Sequence, residues 1–122
     1  MQRLVITATL AAGTTHQQIA RFICQNRPVL QKHGATGMMI RSGGTLQIIL
    51  EGPAAVLQST IAAARSSAIF GTVEAAGSMP IRFRVFDKIC LAYARPEQLE
   101  AGMRREISML TGLDTPPQAL AA

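Results

Sequence analysis

Between Gly34 and Gly52 the chain reads GATGMMIRSGGTLQIILEG, in which one apolar run, Met38 to Ile40, meets a second, Leu46 to Glu51, across Ser42-Gly43-Gly44-Thr45. Glycine tolerates the positive φ angles of a tight turn, so this pattern predicts a β-hairpin. Upstream, Arg3 to Thr7 is rich in β-branched and apolar types, which suits a central strand. Thr14 or Thr15 is placed to cap a helix whose Ile19, Phe22 and Ile23 follow helical spacing. Pro28 disfavours the helical conformation at Arg27, so residues 29–33 are expected as a turn or a short new turn of helix. Pro53, at a first helical position, opens a second helix with the stripe Leu57, Ile61, Ala64 and Ala68. Thr72 to Ala76 reads as a weaker strand broken by Pro80. Arg84 to Tyr93 contains a last strand that sets Ile89, Leu91 and Tyr93 on one face.

The order βαββαββ predicts an α+β, ferredoxin-like sandwich: an antiparallel-rich sheet with two helices on one face. After Pro96, Glu97 and Glu100 favour a helix start, and Leu99, Met103, Ile107 and Leu110 form a stripe running to about residue 111. That stripe requires an apolar surface, supplied by the uncovered face of its own sheet or by a partner, which makes these four residues interface candidates. The chain divides into a domain over 1–95, a C-terminal helix over 96–112 and a tail over 113–122 whose Pro-Pro and small residues are expected to fray.

At 122 residues the chain is long enough for one domain with a core and too short for two. With four Phe, one Tyr and no Trp, that core must be aliphatic and sulfur-rich. The net charge of +5 is scattered, and its local concentrations, Arg82/Arg84 and Arg104-Arg105, suit solvated faces, so no nucleic-acid partner is expected. Cys24 and Cys90 have no CxxC or Cys-His spacing and read as small buried groups. The N-terminus lacks a signal-peptide run and no stretch approaches the roughly 18 apolar residues of a membrane span, so a cytoplasmic protein with no membrane partner is expected. His16 and His33 have no metal-ligand spacing, and the seven carboxylates show no pairing for acid–base work; neither a metal nor an enzymatic activity is expected. Ser42-Gly43-Gly44 lacks the Lys-Ser/Thr end of a phosphate loop. The loop Ala8 to Thr15 carries no Arg or Lys, which removes the anion site of an acylphosphatase. Gln47, Ile49 and Glu51, on the outward face of the third strand, make no base-stacking platform.

Gly34-Ala35-Thr36-Gly37, Leu50-Glu51-Gly52, Pro80-Ile81-Arg82 and Phe86 resemble the BLUF family, small flavin-binding blue-light sensors, and the likeness runs from about Arg3 to Tyr93. The resemblance implies a flavin held between the two helices. It also implies a photochemistry that uses a Tyr on the first strand, an Asn four residues before the turn's first Gly, and a Gln four residues before the Gly of Leu-Glu-Gly. At those positions stand Ile6, Leu30 and Ile48. The family's Trp and Met of the last strand correspond to Ile89 and Leu91, and its flavin-facing basic residue falls near Ala63. Gln47 is one residue out of register and points to the opposite face. Asn26 lies four positions upstream of the required place. Each buried flavin group left without a partner costs about 1–3 kcal/mol. Losing three therefore removes roughly 3–9 kcal/mol from the about 8–12 that a micromolar-to-nanomolar ligand requires. The resemblance thus implies a degenerate member: no FAD is expected, and the chain is expected to act as a sensory or regulatory interaction module, on a protein partner or as a homo-oligomer through the C-terminal helix and sheet face. The alternatives are a working receptor holding FAD in a modified pocket, and a sensor of a different apolar ligand in the same site.

Overall fold

The computed structural model describes the backbone of residues 1–111 and side chains through Met109; the tail and the Leu110 side chain lie outside the described residues. β1 (Gln2–Leu10), α1 (His16–Lys32), β2 (Thr36–Ser42), β3 (Thr45–Gly52), α2 (Ala54–Ser66), β4 (Phe70–Ala75), the two-residue β5 (Met79–Pro80), β6 (Cys90–Ala94) and α3 (Ala101–Thr111) follow in order. The sheet runs β4-β1-β3-β2-β6, with β5 also paired to β1. All pairs are antiparallel except β2 with β6. The ferredoxin-like sandwich is therefore present, with the parallel β6 added at one edge and the short β5 inserted before it.

Local chemistry accounts for most of these elements. Thr15 caps α1: its hydroxyl accepts from the Gln18 N–H (3.3 Å) while the Gln18 side chain accepts from the Thr15 N–H (2.9 Å), a reciprocal capping box. Ser42 pairs with Thr45 across the two-residue turn Gly43-Gly44, where Gly43 has φ +63°. Pro53 caps α2, which buries Leu57, Ile61 and Ala64 but ends at Ser66, leaving Ala68 outside it and exposed.

Several expectations need correction. Cys24, expected to be buried, is exposed. The C-terminal helix expected from 96 is a short 3-10 turn over Pro96–Gln98 followed by α3 from Ala101, so Leu99 precedes the helix. α1 does not stop at Pro28 but continues to Lys32. Proline forfeits one backbone bond in a helix interior, and here that loss is opposed by Leu30, which the final turns bury in the core. The strand expected within Arg84 to Tyr93 begins only at Cys90, because the preceding loop spends its N–H groups on Glu51. Finally, Ile89, Leu91 and Tyr93 do not share a face. The β2–β6 register shifts between Gly37 and Met38, pairing Gly37 with Cys90 but Met38 with Ala92, so Leu91 is the extra residue of a bulge. Its φ of +57° turns Cys90 and Leu91 both toward the helices and leaves Ile89 on the opposite face.

The sheet thus has two apolar faces. Leu4, Ile6, Ala8, Leu46, Ile48 and Leu50 pack against α1 and α2. On the other face Met38, Ile40 and Ile49 pack with Phe86 and with Ile107 of α3, flanked by Leu99 and Met103. Of the C-terminal stripe, Leu99, Met103 and Ile107 pack on the chain's own sheet, with Ile107 fully buried; the Leu110 side chain lies outside the described residues.

Candidate functional site

The space between α1, α2 and the sheet is built on a row of directly paired residues. Ile6 of β1 faces Ile48 of β3, which in turn faces Met39 of β2. Leu30, from the end of α1, and Leu91, from the β6 bulge, join the same buried cluster. Ile6, Leu30 and Ile48 are 0%, 1% and 1% exposed. None of the three carries a polar side-chain atom, so nothing they present can donate or accept a hydrogen bond. Ala63 is half-buried on α2 outside that cluster, and Ile89 faces away from it.

Polar atoms near this core are already engaged. Asn26 Nδ2 donates to its own helix at the Phe22 carbonyl (2.7 Å), and the buried Thr60 hydroxyl donates to the Val56 carbonyl (2.9 Å). Arg27, which the sequence reading did not single out, donates from Nε to the Cys90 carbonyl (3.0 Å) and from Nη2 to the Leu91 carbonyl (3.1 Å), pinning the bulge to α1. Cys90 returns a thiol contact to the Arg27 carbonyl at 3.8 Å. Burial pushes the Cys90 thiol above its ordinary value, opposed by the Arg27 guanidinium. Toward the start of α1, Tyr93 Oη lies 3.2 Å from His16 Nδ1 and accepts from Arg41 Nη1 at 3.4 Å. At the opposite end of the helix pair, Val29, His33, Ala55, Val56 and Ser59 line a cleft of about 210 Å³.

The outward-pointing polar residues of β3 are buried as well. Glu51 accepts from Arg3 Nε (3.0 Å) and Nη2 (2.8 Å) and from the backbone N–H groups of Val85 and Phe86 (2.9 and 2.8 Å). Gln47 is 6% exposed, and its Oε1 has no hydrogen-bond partner among the described residues. Among the described residues no cluster of His, Cys, Asp or Glu is grouped to hold a metal, and no helix is long and apolar enough to cross a membrane.

No family model matches the chain, and no curated protein sequence matches it. Solved structures do. BlrB, a BLUF protein in its dark state, superposes with a TM-score of 0.74 at 16% identity, over 98% of this chain and 89% of BlrB. The fold is the BLUF fold. BlsA in its photo-activated state matches with a TM-score of 0.73 at 13% identity, over 93% of this chain and 80% of BlsA. A bacterial light-regulated adenylyl cyclase gives 0.73 at 17% identity over 91% of this chain, which spans only 33% of that enzyme.

Within the BLUF fold, the positions where the resemblance implies Tyr, Asn and Gln are those of Ile6, Leu30 and Ile48. The structure gathers all three into one buried cluster, while Gln47 sits on the far side of the sheet and Asn26 is bonded to its own helix. A flavin ring held by polar side chains does not fit these residues. A site shaped around such a ring would show buried polar atoms awaiting partners, and among the described residues the one such side-chain atom, Gln47 Oε1, belongs to the opposite face.

Proposed function

We propose that this chain is a sensory or regulatory module of BLUF fold that works without flavin and acts through contact with protein. The observation that carries the reading is the Ile6–Ile48 cross-strand pair, buried with Leu30 in the helix-side core. An aliphatic plug there removes a cavity that would otherwise destabilise the core, and it takes away the side chains that would recognise an isoalloxazine and pass on its excitation. The fold is kept while the receptor chemistry is not.

The test is a visible absorption spectrum of the freshly purified protein, before and after blue light and after incubation with excess FAD. A colourless protein that neither retains FAD through gel filtration nor changes its spectrum on illumination is expected. A yellow protein with a light-induced red shift would overturn the reading and make the chain a photoreceptor with a modified pocket.

The cleft at Val29, Ala55 and Val56 favours a second reading, capture of a small apolar molecule between the helices. Its volume of about 210 Å³ lies below the roughly 300–1,000 Å³ of ordinary ligand sites, so only a compact ligand suits it. Native mass spectrometry of the purified protein would register such a molecule as an added mass.

A further inference from the structure

We infer that this chain senses pH, through a latch in which His16, the first residue of α1, ties that helix to Arg41 of β2 and Tyr93 of β6. The inference takes from the reading above only that the chain is a sensory module, and it supplies the stimulus, a proton. His16 Nδ1 lies 3.2 Å from Tyr93 Oη and 3.4 Å from Arg41 Nη1, and the same Nη1 donates to Tyr93 Oη at 3.4 Å. The two rings meet edge to face with centroids 6.1 Å apart. A guanidinium has no acceptor, so the Nδ1 that faces Arg41 is an acceptor and the ring is neutral, with its proton on Nε2. The Tyr93 hydroxyl, which accepts from Arg41, then donates its own proton to Nδ1. Three groups from three elements thus complete one another's hydrogen bonds while His16 is neutral.

Protonation of Nδ1 reverses the arrangement. The nitrogen becomes a donor, and the phenol can turn to accept from it, but Arg41 has no such recourse: two cations then stand 3.4 Å apart and repel. Nothing nearby offsets the added charge. Among the described residues, Arg41 from β2 and Tyr93 from β6 are the charged or titratable groups in contact with His16, and no carboxylate pairs with His16 or Arg41. The loop Ala11 to Thr15 holds no charged residue, the first turn of α1 holds no acid, and the next charge along the helix, Arg21, is another cation. The start of a helix is its positive pole, so the dipole also opposes a cation there. His16 is exposed, so it takes up a proton without the chain unfolding.

What the latch holds is the end of an edge strand. β6 is the last strand of the sheet and pairs with β2. Side chains tie it to α1 at two places, Arg27 at the Cys90 and Leu91 carbonyls and Tyr93 at His16. Past Tyr93 the chain turns through Pro96–Gln98 to Leu99 and α3, whose Met103 and Ile107 pack on the outer face of the sheet. Opening the latch on acidification therefore loosens the strand that leads into this cover. A proton taken up at the start of α1 is felt on the opposite face of the sheet.

Tyr93 is the chain's one tyrosine and there is no tryptophan, so intrinsic fluorescence reports on this site alone. Fluorescence of the full chain, followed from about pH 8 to about pH 5, the range in which histidine side chains change charge, is expected to show one step. His16→Gln should abolish the step, and His33→Gln, at the far end of α1, should leave it. Arg41→Gln, which keeps a donor and removes the repelling cation, should shrink it. Hydrogen exchange, corrected for its intrinsic pH dependence, should show the β6 amides losing protection below the step in the parent and keeping it in His16→Gln. Both histidines are exposed, so circular dichroism of their variants should match the parent. A flat trace, a step that survives His16→Gln, or β6 protection that does not change across the step overturns the inference. A yellow, light-responsive protein that keeps the His16 step would sink the flavin-free reading and leave this one standing, and a colourless protein with a flat trace would do the reverse.

Discussion

Two polar residues four apart on β3 show how differently one buried face treats its guests. Glu51 has no exposure, yet its carboxylate is satisfied by Arg3 and by the Val85 and Phe86 N–H groups. Removing one partner of such a buried pair costs about 3–5 kcal/mol, so Glu51 is the tie that fixes the Val85-Phe86 loop. Gln47 is nearly as buried, and among the described residues nothing donates to its carbonyl oxygen. A buried acceptor without a donor costs about 1–3 kcal/mol. Gln47→Met, which keeps the length and removes the polar atoms, should therefore stabilise the fold by about 1 kcal/mol, seen as a higher urea midpoint; an unchanged or lower midpoint would show that the oxygen is satisfied after all. Alternation along the strand tells from sequence that Gln47, Ile49 and Glu51 point away from α1 and α2. It leaves open whether the C-terminal stripe covers this face or a partner's, and it gives no sign of the Val85-Phe86 loop, which shares the cover with α3.

At the scale of elements, what is legible in the sequence is what is decided locally. The Thr15 capping box and the Gly43-Gly44 turn are set by neighbours three residues away or fewer, and both elements stand where the pattern puts them. The end of α1 and the facing of β6 are decided by tertiary contacts. Leu30 pulls the helix through Pro28, and Arg27 holds a bulge in which Leu91 takes a left-handed conformation that costs an L-residue about 1–2 kcal/mol. No local pattern announces either. Gly37 lies where these constraints meet: its N–H donates to the Ile89 carbonyl (2.8 Å), the β6 register shifts beside it, and a Cβ there would run into the Ile49 carbonyl of β3. Backbone cannot yield as a side-chain tip does. Gly37→Ala should cost about 3 kcal/mol or more, read as a lowered denaturation midpoint, and a wild-type midpoint would mean that β2 and β3 part more easily than their register implies.

For the molecule as a whole, the scaffold and the interior answer to separate demands. The turn glycines, the Glu51 tie and the two apolar faces are needed by the sandwich whatever it binds, and they carry the resemblance in sequence. Ile6, Leu30 and Ile48 are under no such demand: any apolar trio of fitting volume completes the core, so their identity records the demands on the site rather than on the fold. If the plug is a settled core, polarity restored to it should be a burden that flavin does not relieve. Ile48→Gln would bury an amide between Ile6 and Met39, which should destabilise the chain by about 1–3 kcal/mol. A ligand that binds only the folded state stabilises it by mass action, about 2.7 kcal/mol at a hundredfold excess over its dissociation constant. Melting Ile48→Gln with and without excess FAD therefore separates the cases. Equal midpoints are expected; a midpoint that FAD raises back toward that of the parent would mean that the cavity still opens to an isoalloxazine and that one missing amide, rather than a closed core, keeps it out.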